Sequence, residues 1–214
     1  MSQPQLEKIS AITKKIEFTK GKLIFQEGDH GNGFYIVASG KIKVFKLSFE
    51  GKEQILHIYG PGHTFGEVPV FEGKSFPASS MALEQSSILF LPRDKFVALI
   101  TTTPALAMNM LADLSRRLRA FTVQIENLSL KEVPARLAAY LITLHEESEH
   151  KPESDKITLP ISKAQLANLI GTTPETVSRV LKKMADQSLI QVQTKDIFIL
   201  DLDELSELSE SGRI

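Results

Sequence analysis

The sequence contains no cysteine among its 214 residues. That absence excludes disulfides, thiolate nucleophiles, zinc–thiolate sites and cysteine-ligated iron–sulfur clusters. No apolar run approaches the roughly 18 residues that a membrane span needs. The opening Met1-Ser2-Gln3-Pro4-Gln5 lacks the basic-then-apolar pattern of a secretory leader. We therefore expect a cytoplasmic protein with no membrane partner. Net charge is also nearly absent, at −1, which argues against general adhesion to nucleic acid.

What is present is ordinary globular material, 42% hydrophobic and 24% charged. The length suits one large or two small domains and is enough to bury a real core. The charge average hides a gradient. Residues 160–200 carry five basic and three acidic side chains, and residues 201–214 carry one basic and five acidic. A small basic module before an acidic tail points to a local, shaped binding face.

Ten of the twelve glycines fall at or before Gly73, and ten of the twelve phenylalanines at or before Phe96, so the N-terminal half differs in kind from the rest. Lys22–Phe25, Phe34–Ala38, Lys41–Leu47, Gln54–Tyr59 and Ser87–Leu91 read as short strands between glycine turns. Such a series suggests an antiparallel sandwich or barrel.

The pattern changes near Pro104. Ala107, Leu111, Leu114, Leu118, Phe121, Ile125 and Leu128 alternate spacings of four and three, an unbroken heptad seam. Periodicity alone fits both an amphipathic helix on its own domain and a parallel dimer. The length, about 37 Å at 1.5 Å per residue, favours the dimer, because a small domain cannot cover it all. Leu111, Leu114, Leu118, Phe121, Ile125 and Leu128 are the candidate dimer contacts. Ser129 and Glu132 have capping-box spacing, so a new helix is expected there, with Leu137, Tyr140, Leu141 and Leu144 on its apolar face. Ser148–Lys156 reads as a loop.

From Ser162 the chain reads as a compact helical pair. Ser162 and Gln165 can form a capping box, Gly171 breaks the first helix, Thr173 is a good N-cap and Pro174 suits the first helical position. Two strands follow, Leu189–Gln193 and Ile197–Leu200, joined by Thr194-Lys195-Asp196. This is the layout of a winged helix-turn-helix. On its second helix Thr173, Glu175, Thr176, Ser178, Arg179, Lys182 and Lys183 face outward. Arg can read guanine with two hydrogen bonds and Glu can accept from cytosine. Lys182, Lys183 and Lys195 suit phosphates. Glu175 and Arg179 are also four apart, the spacing of an ordinary surface ion pair.

Three signatures, in order, resemble the CRP/FNR transcription regulators over about residues 15–200. The first runs from Lys20-Gly21 through Gln26-Glu27-Gly28-Asp29 to Phe34-Tyr35-Ile36-Val37 and Ser39-Gly40. The second is Gly62-His63-Thr64-Phe65-Gly66-Glu67. The third is Thr173-Pro174-Glu175-Thr176-Val177-Ser178-Arg179-Val180-Leu181. The resemblance implies an α+β chain with three parts. These are a double-stranded β-helix sensor domain over 1–103 (a β-roll like that of cyclic-nucleotide-binding proteins), a dimerisation helix over 104–129, and a winged helix-turn-helix over 130–214. It also implies a homodimer on double-stranded DNA with an inverted repeat, with RNA polymerase as a partner. Ser178, together with Pro174, matches the FNR-like branch, so the half-site is expected to resemble TTGAT more than TGTGA. Half-sites would lie about one helical turn, ~34 Å, apart.

Cyclic-nucleotide-binding members of the family hold the ribose with a Gly-Glu pair and the phosphate with a downstream Arg-Ser pair. Gly66 and Glu67 match the first pair. The second should fall near Phe76-Pro77-Ala78, yet no basic residue lies between Lys74 and Arg93. A buried phosphate would lack its charge partner. Gly66, Glu67, Phe76, Pro77, Ala78 and Ser79 are therefore the candidate effector pocket, for an effector other than cyclic AMP. Haem, as in a nitric oxide or redox sensor, is the cofactor considered, with His30, His57, His63 and Met81 as candidate ligands. His57, His63 and Glu67 loosely match a two-His-one-carboxylate set, but no metal site is expected there. No enzyme motif is present. The alternatives are a cyclic-nucleotide-responsive regulator and a regulatory module whose helical pair docks protein rather than DNA.

Overall fold

In the computed structural model residues 3–147 and 156–212 are described. The chain divides into two compact units, Met1–Arg117 and Leu118–Ile214.

The first unit runs α1 (Gln3–Ile12), β1 (Lys14–Phe18), β2 (Leu23–Phe25), β3 (Gly33–Ser39), β4 (Ile42–Leu47), β5 (Glu53–Tyr59), β6 (Thr64–Phe65), α2 (Val68–Glu72), β7 (Ser79–Ala82), β8 (Ser86–Pro92) and α3 (Arg93–Thr102). Its strands form two four-stranded antiparallel sheets, ordered β1-β8-β3-β6 and β2-β7-β4-β5. Except at the β4–β5 hairpin, successive strands cross from one sheet to the other, which makes the expected β-roll. Val37, Ile42, Ala82 and Ile88 fill its interior beside the rings of Phe25, Tyr59, Phe65 and Phe76. A second cluster of Phe34, Val70, Leu91 and Phe96 seats the flanking helices, with Ile9, Ile12 and Ile100 packed on it. β1, β6 and β7 are strands that the sequence pattern did not show. β1 is mostly exposed, and β6 is only two residues long.

The long helix α4 spans Pro104–Leu130 and turns by 113° from α3. Thr103 sits between them at φ −139°, ψ 73°, because the residue before a proline is pushed out of the helical region. Leu111, Leu118, Phe121 and Ile125 of the seam are 55%, 69%, 38% and 64% exposed. Leu114 and Leu128 are half-buried. Among the described residues no single helix is long and apolar enough to cross a membrane.

The second unit contains α5 (Val133–Glu147), β9 (Lys156–Thr158), α6 (Lys163–Ile170), α7 (Pro174–Asp186), β10 (Ile190–Gln193), β11 (Asp196–Ile199) and α8 (Leu202–Ser211). The strands form one sheet, ordered β10-β11-β9. Two expectations are corrected here. Ser129 does not cap a helix: it lies inside α4, and the break comes between Leu130 and Val133. Pro134 explains the position, since a proline ring clashes with the carbonyl four residues earlier, here that of Leu130. The acidic tail is α8, capped by Asp201, which accepts from the Glu204 amide at 2.9 Å. Asp203 and Glu204 complement the positive end of the helix. Leu205 and Leu208 are buried, and α8 packs on α5. Residues 148–155 of the expected loop lie outside the described residues, and Lys156 opens β9.

Candidate effector pocket and nucleic-acid interface

The turn after β6 carries Gly66 and Glu67. Gly66 sits at φ +72°, and a Cβ there would lie 3.0 Å from Phe25 and 3.2 Å from Phe76, so only glycine fits. Glu67 opens α2 and is 14% exposed. Its partner is Arg117 of α4, which sequence reasoning missed because nothing local links positions fifty apart. Arg117 donates to Glu67 at 3.2 Å and to Thr64 Oγ1 at 2.6 Å. It also pairs with Asp113 at 2.8 Å and lies over the Tyr59 ring. Burial pushes the Glu67 carboxyl above its ordinary range, and the Arg117 guanidinium opposes that shift.

Phe76, Pro77, Ala78 and Ser79 run beside the Gln26–Asp29 turn. The Gly28 amide donates to the Phe76 carbonyl at 2.9 Å, and the Glu27 amide donates to Ser79 Oγ at 3.0 Å. The first sequence signature and the Phe76–Ser79 segment thus meet in space. Phe76 stacks face to face on Phe25 with ring centroids 3.8 Å apart, so the segment in which the resemblance expects a phosphate-binding arginine presents an apolar ring instead. A cation does reach this segment: Lys46 of β4 donates to the Pro77 carbonyl at 3.1 Å and pairs with Glu27. It arrives from a neighbouring strand, so a scan of the local sequence could not show it.

Of the four candidate haem ligands, His57 and His63 both lie beside the Tyr59 ring, at centroid distances of 4.4 and 6.4 Å. His30 is exposed and bridges to Ser75. His63 is exposed, with Nδ1 3.1 Å from the Gly60 carbonyl. Met81 lies on β7, paired with Leu23 and Lys43. His57 lies tilted against Tyr59, with ring centroids 4.4 Å apart and planes at 51°. Burial, then Arg117 and His63, lower its pKa to about 4. Among the described residues no group of three His, Asp or Glu side chains is placed to hold a metal ion.

In the second unit the helical pair forms as its local signals dictate. Ser162 and Gln165 make the reciprocal capping box, and Gly171 ends α6 at φ 70°, ψ 48°. Thr173 caps α7, accepting from the Thr176 amide at 3.3 Å, and Pro174 follows. Val177, Val180, Leu181 and Met184 bury one side of α7. Glu175, Ser178, Arg179, Lys182 and Lys183 are exposed on the other, with Thr173 at its start and Thr176 half-buried. No ion pair joins Glu175 to Arg179 among the described residues, so the surface-pair alternative is not what the structure forms. The helix start and Thr173 hold the Glu175 carboxyl below the usual range. Lys195 lies in the tight β10–β11 turn, where Thr194 adopts φ 59°. Two grooves flank α7, one lined by Arg136, Arg179 and Lys183, the other by Lys163, Ser178 and Lys182.

Comparison with known proteins finds a family for each part of the chain. The cyclic nucleotide-binding domain family matches residues 15–103, and the Crp-like helix-turn-helix domain family matches residues 135–208. The cyclic AMP receptor protein of Thermus thermophilus is 34% identical over 192 residues, covering 90% of this chain and 86% of that protein. The transcriptional activator Anr of Pseudomonas protegens is 31% identical over 191 residues, covering 89% of this chain and 78% of that protein. A CooA variant from Carboxydothermus hydrogenoformans superposes with TM-score 0.81 at 24% identity, covering 97% and 90% of the two chains, which shows the shared fold. With a β-roll, a long helix and a winged helix-turn-helix in this order, the chain belongs to the CRP/FNR family of transcriptional regulators.

Proposed function

We propose that the chain acts as a homodimer, reads an inverted-repeat DNA site with α7, and answers to an effector sensed in the β-roll. The observation that carries the DNA reading is the exposed row Glu175, Ser178, Arg179, Lys182 and Lys183 on a helix whose other side is buried. Arg179 and Glu175 read base edges, Ser178 tunes which bases, and Lys182, Lys183 and Lys195 anchor phosphates. Large apolar side chains left exposed along one helix support the dimer, since a monomer gains nothing from exposing them. Dimer pairing sets the spacing of the two recognition helices. RNA polymerase is the partner through which such binding would change transcription, and the cytoplasm is where both would meet.

The effector is a small molecule other than a cyclic nucleotide. The Phe25–Phe76 stack supports this, because a cyclic phosphate placed there would be desolvated against rings rather than met by an arginine. The cyclic-nucleotide alternative is favoured by the family matched over residues 15–103 and by the name of the Thermus relative. Calorimetric titration with cyclic AMP separates the two. No heat is expected, and saturable binding would establish the alternative. An absorption spectrum with added haem and nitric oxide runs beside it, and a Soret band that shifts with nitric oxide would identify haem as the sensing group.

A further inference from the structure

We propose that Arg136, on the first turns of α5 and outside the helix-turn-helix, is a DNA-backbone contact that takes a phosphate in the groove it shares with Arg179 and Lys183. The proposal rests on the DNA reading above. Arg136 is half-buried, and its Nε is sealed from water with no hydrogen-bond partner. Among the described residues it has no ion-pair partner either. A buried N–H of a charged group without an acceptor is costly. Burial accordingly holds its pKa below the ordinary arginine value.

The surroundings identify the missing anion. The groove is lined by Glu132, Arg136, Thr176, Arg179 and Lys183, with Val133, Pro134 and Val180 as apolar wall. Three cations face one carboxylate, and apolar walls strengthen their field. Arg179 and Lys183 lie on the outward face of α7. A helix about 10–12 Å across fills a major groove about 12 Å wide. Side chains on an element bordering that helix therefore meet the rim of the groove, and the rim is phosphate. A planar guanidinium suits phosphate by paired hydrogen bonds. The other flank of α7 carries Lys163 and Lys182, so cations stand on both sides of the helix, as two sugar-phosphate strands require.

The test is the salt dependence of binding by the full chain, measured by fluorescence anisotropy. One duplex carries an inverted repeat of TTGAT and the other is of random sequence. Arg136→Met keeps the aliphatic stem and removes the charge. It should lower affinity about tenfold on both duplexes alike. It should also reduce the slope of log K against log salt by about 0.9 for each bound protomer. Arg136→Lys should restore most of the slope. If Arg136→Met does not fold, Arg136→Gln carries the same measurement. A wild-type slope in the neutral variant overturns the proposal, even if its melting temperature falls, because a purely structural role would move the melt and leave the slope. If the wild type distinguishes the duplexes and the slope is unchanged, the Arg136 site fails while the DNA reading stands. If the slope falls but the wild type does not distinguish them, the site stands and sequence-specific reading fails.

Discussion

Arg117 on the long helix and Glu67 at the tip of the β-roll form an ion pair at 3.2 Å in which both side chains are only 14% exposed. The pair fixes α4 to the turn that carries the candidate effector pocket. Any ligand that engages Glu67 must share it with Arg117 or displace it. On the function proposed above, a change at the pocket should reach α4 through this pair.

Replacing Arg117 by Met strands the Glu67 carboxylate and should cost about 3 kcal/mol near pH 7. The cost should depend on pH. Burial already raises the Glu67 pKa above 4.5, and Arg117 is the largest influence opposing that rise. Without Arg117 the pKa rises further. A raised pKa gives stability that is present below the unfolded value and lost as pH rises through the folded one. The deficit of Arg117→Met should therefore be small below pH 4.5 and grow toward neutrality, as read from urea midpoints. An equal deficit at both ends would contradict the pairing.

His57 titrates with the opposite sign. Its folded pKa of about 4 lies below the ordinary 6.5. The unfolded chain therefore binds more protons between those values, so stability present above pH 6.5 is lost as pH falls through 4. The loss amounts to at most about 3 kcal/mol. His57→Gln should flatten this part of the stability curve, and an unchanged acid limb would show that another group controls it.

The exposed seam predicts assembly. Leu118→Glu with Ile125→Glu places like charges on both helices of a dimer, at positions 69% and 64% exposed in the single chain. Sedimentation velocity should show a monomer. Binding to an inverted repeat should fall about a hundredfold or more, because the two half-sites no longer act together. A dimer that survives both substitutions would move the interface elsewhere.

Leu205 is fully buried in α8, although the surrounding sequence reads as acidic tail. Leu205→Ala should cost about 2–5 kcal/mol in the melt of the second unit. A loss of under 1 kcal/mol, the size of a surface change, would mean that α8 is not a packed part of that unit.

What the sequence disclosed follows the range of the physics. Caps and breakers act over three or four residues, so Ser162, Gln165, Gly171, Thr173 and Pro174 located α6 and α7 closely. Short β-rich runs between turns showed β3, β4, β5 and β8, whose ends shift by only one residue or so. β7 was hidden because Ser79 and Ser80 give it no apolar alternation. Ser129 misled because its capping spacing competes with Pro134, and the proline sets the break. Long-range partners were the other blind spot. Arg117 with Glu67, Lys46 with Pro77 and Arg136 with Arg179 are brought together only by tertiary packing, and no local pattern announces them.

The most direct test of the central claim compares Arg179→Ala and Lys183→Ala with the wild type on two duplexes. One carries the TTGAT inverted repeat, and in the other a single base pair of each half-site is changed. Arg179→Ala should lose about 1–3 kcal/mol on the intact repeat and cease to distinguish the two, whereas Lys183→Ala should weaken both alike. Equal losses for both variants on both duplexes would contradict base reading by α7. Unchanged binding by Arg179→Ala would favour a helical pair that docks protein instead.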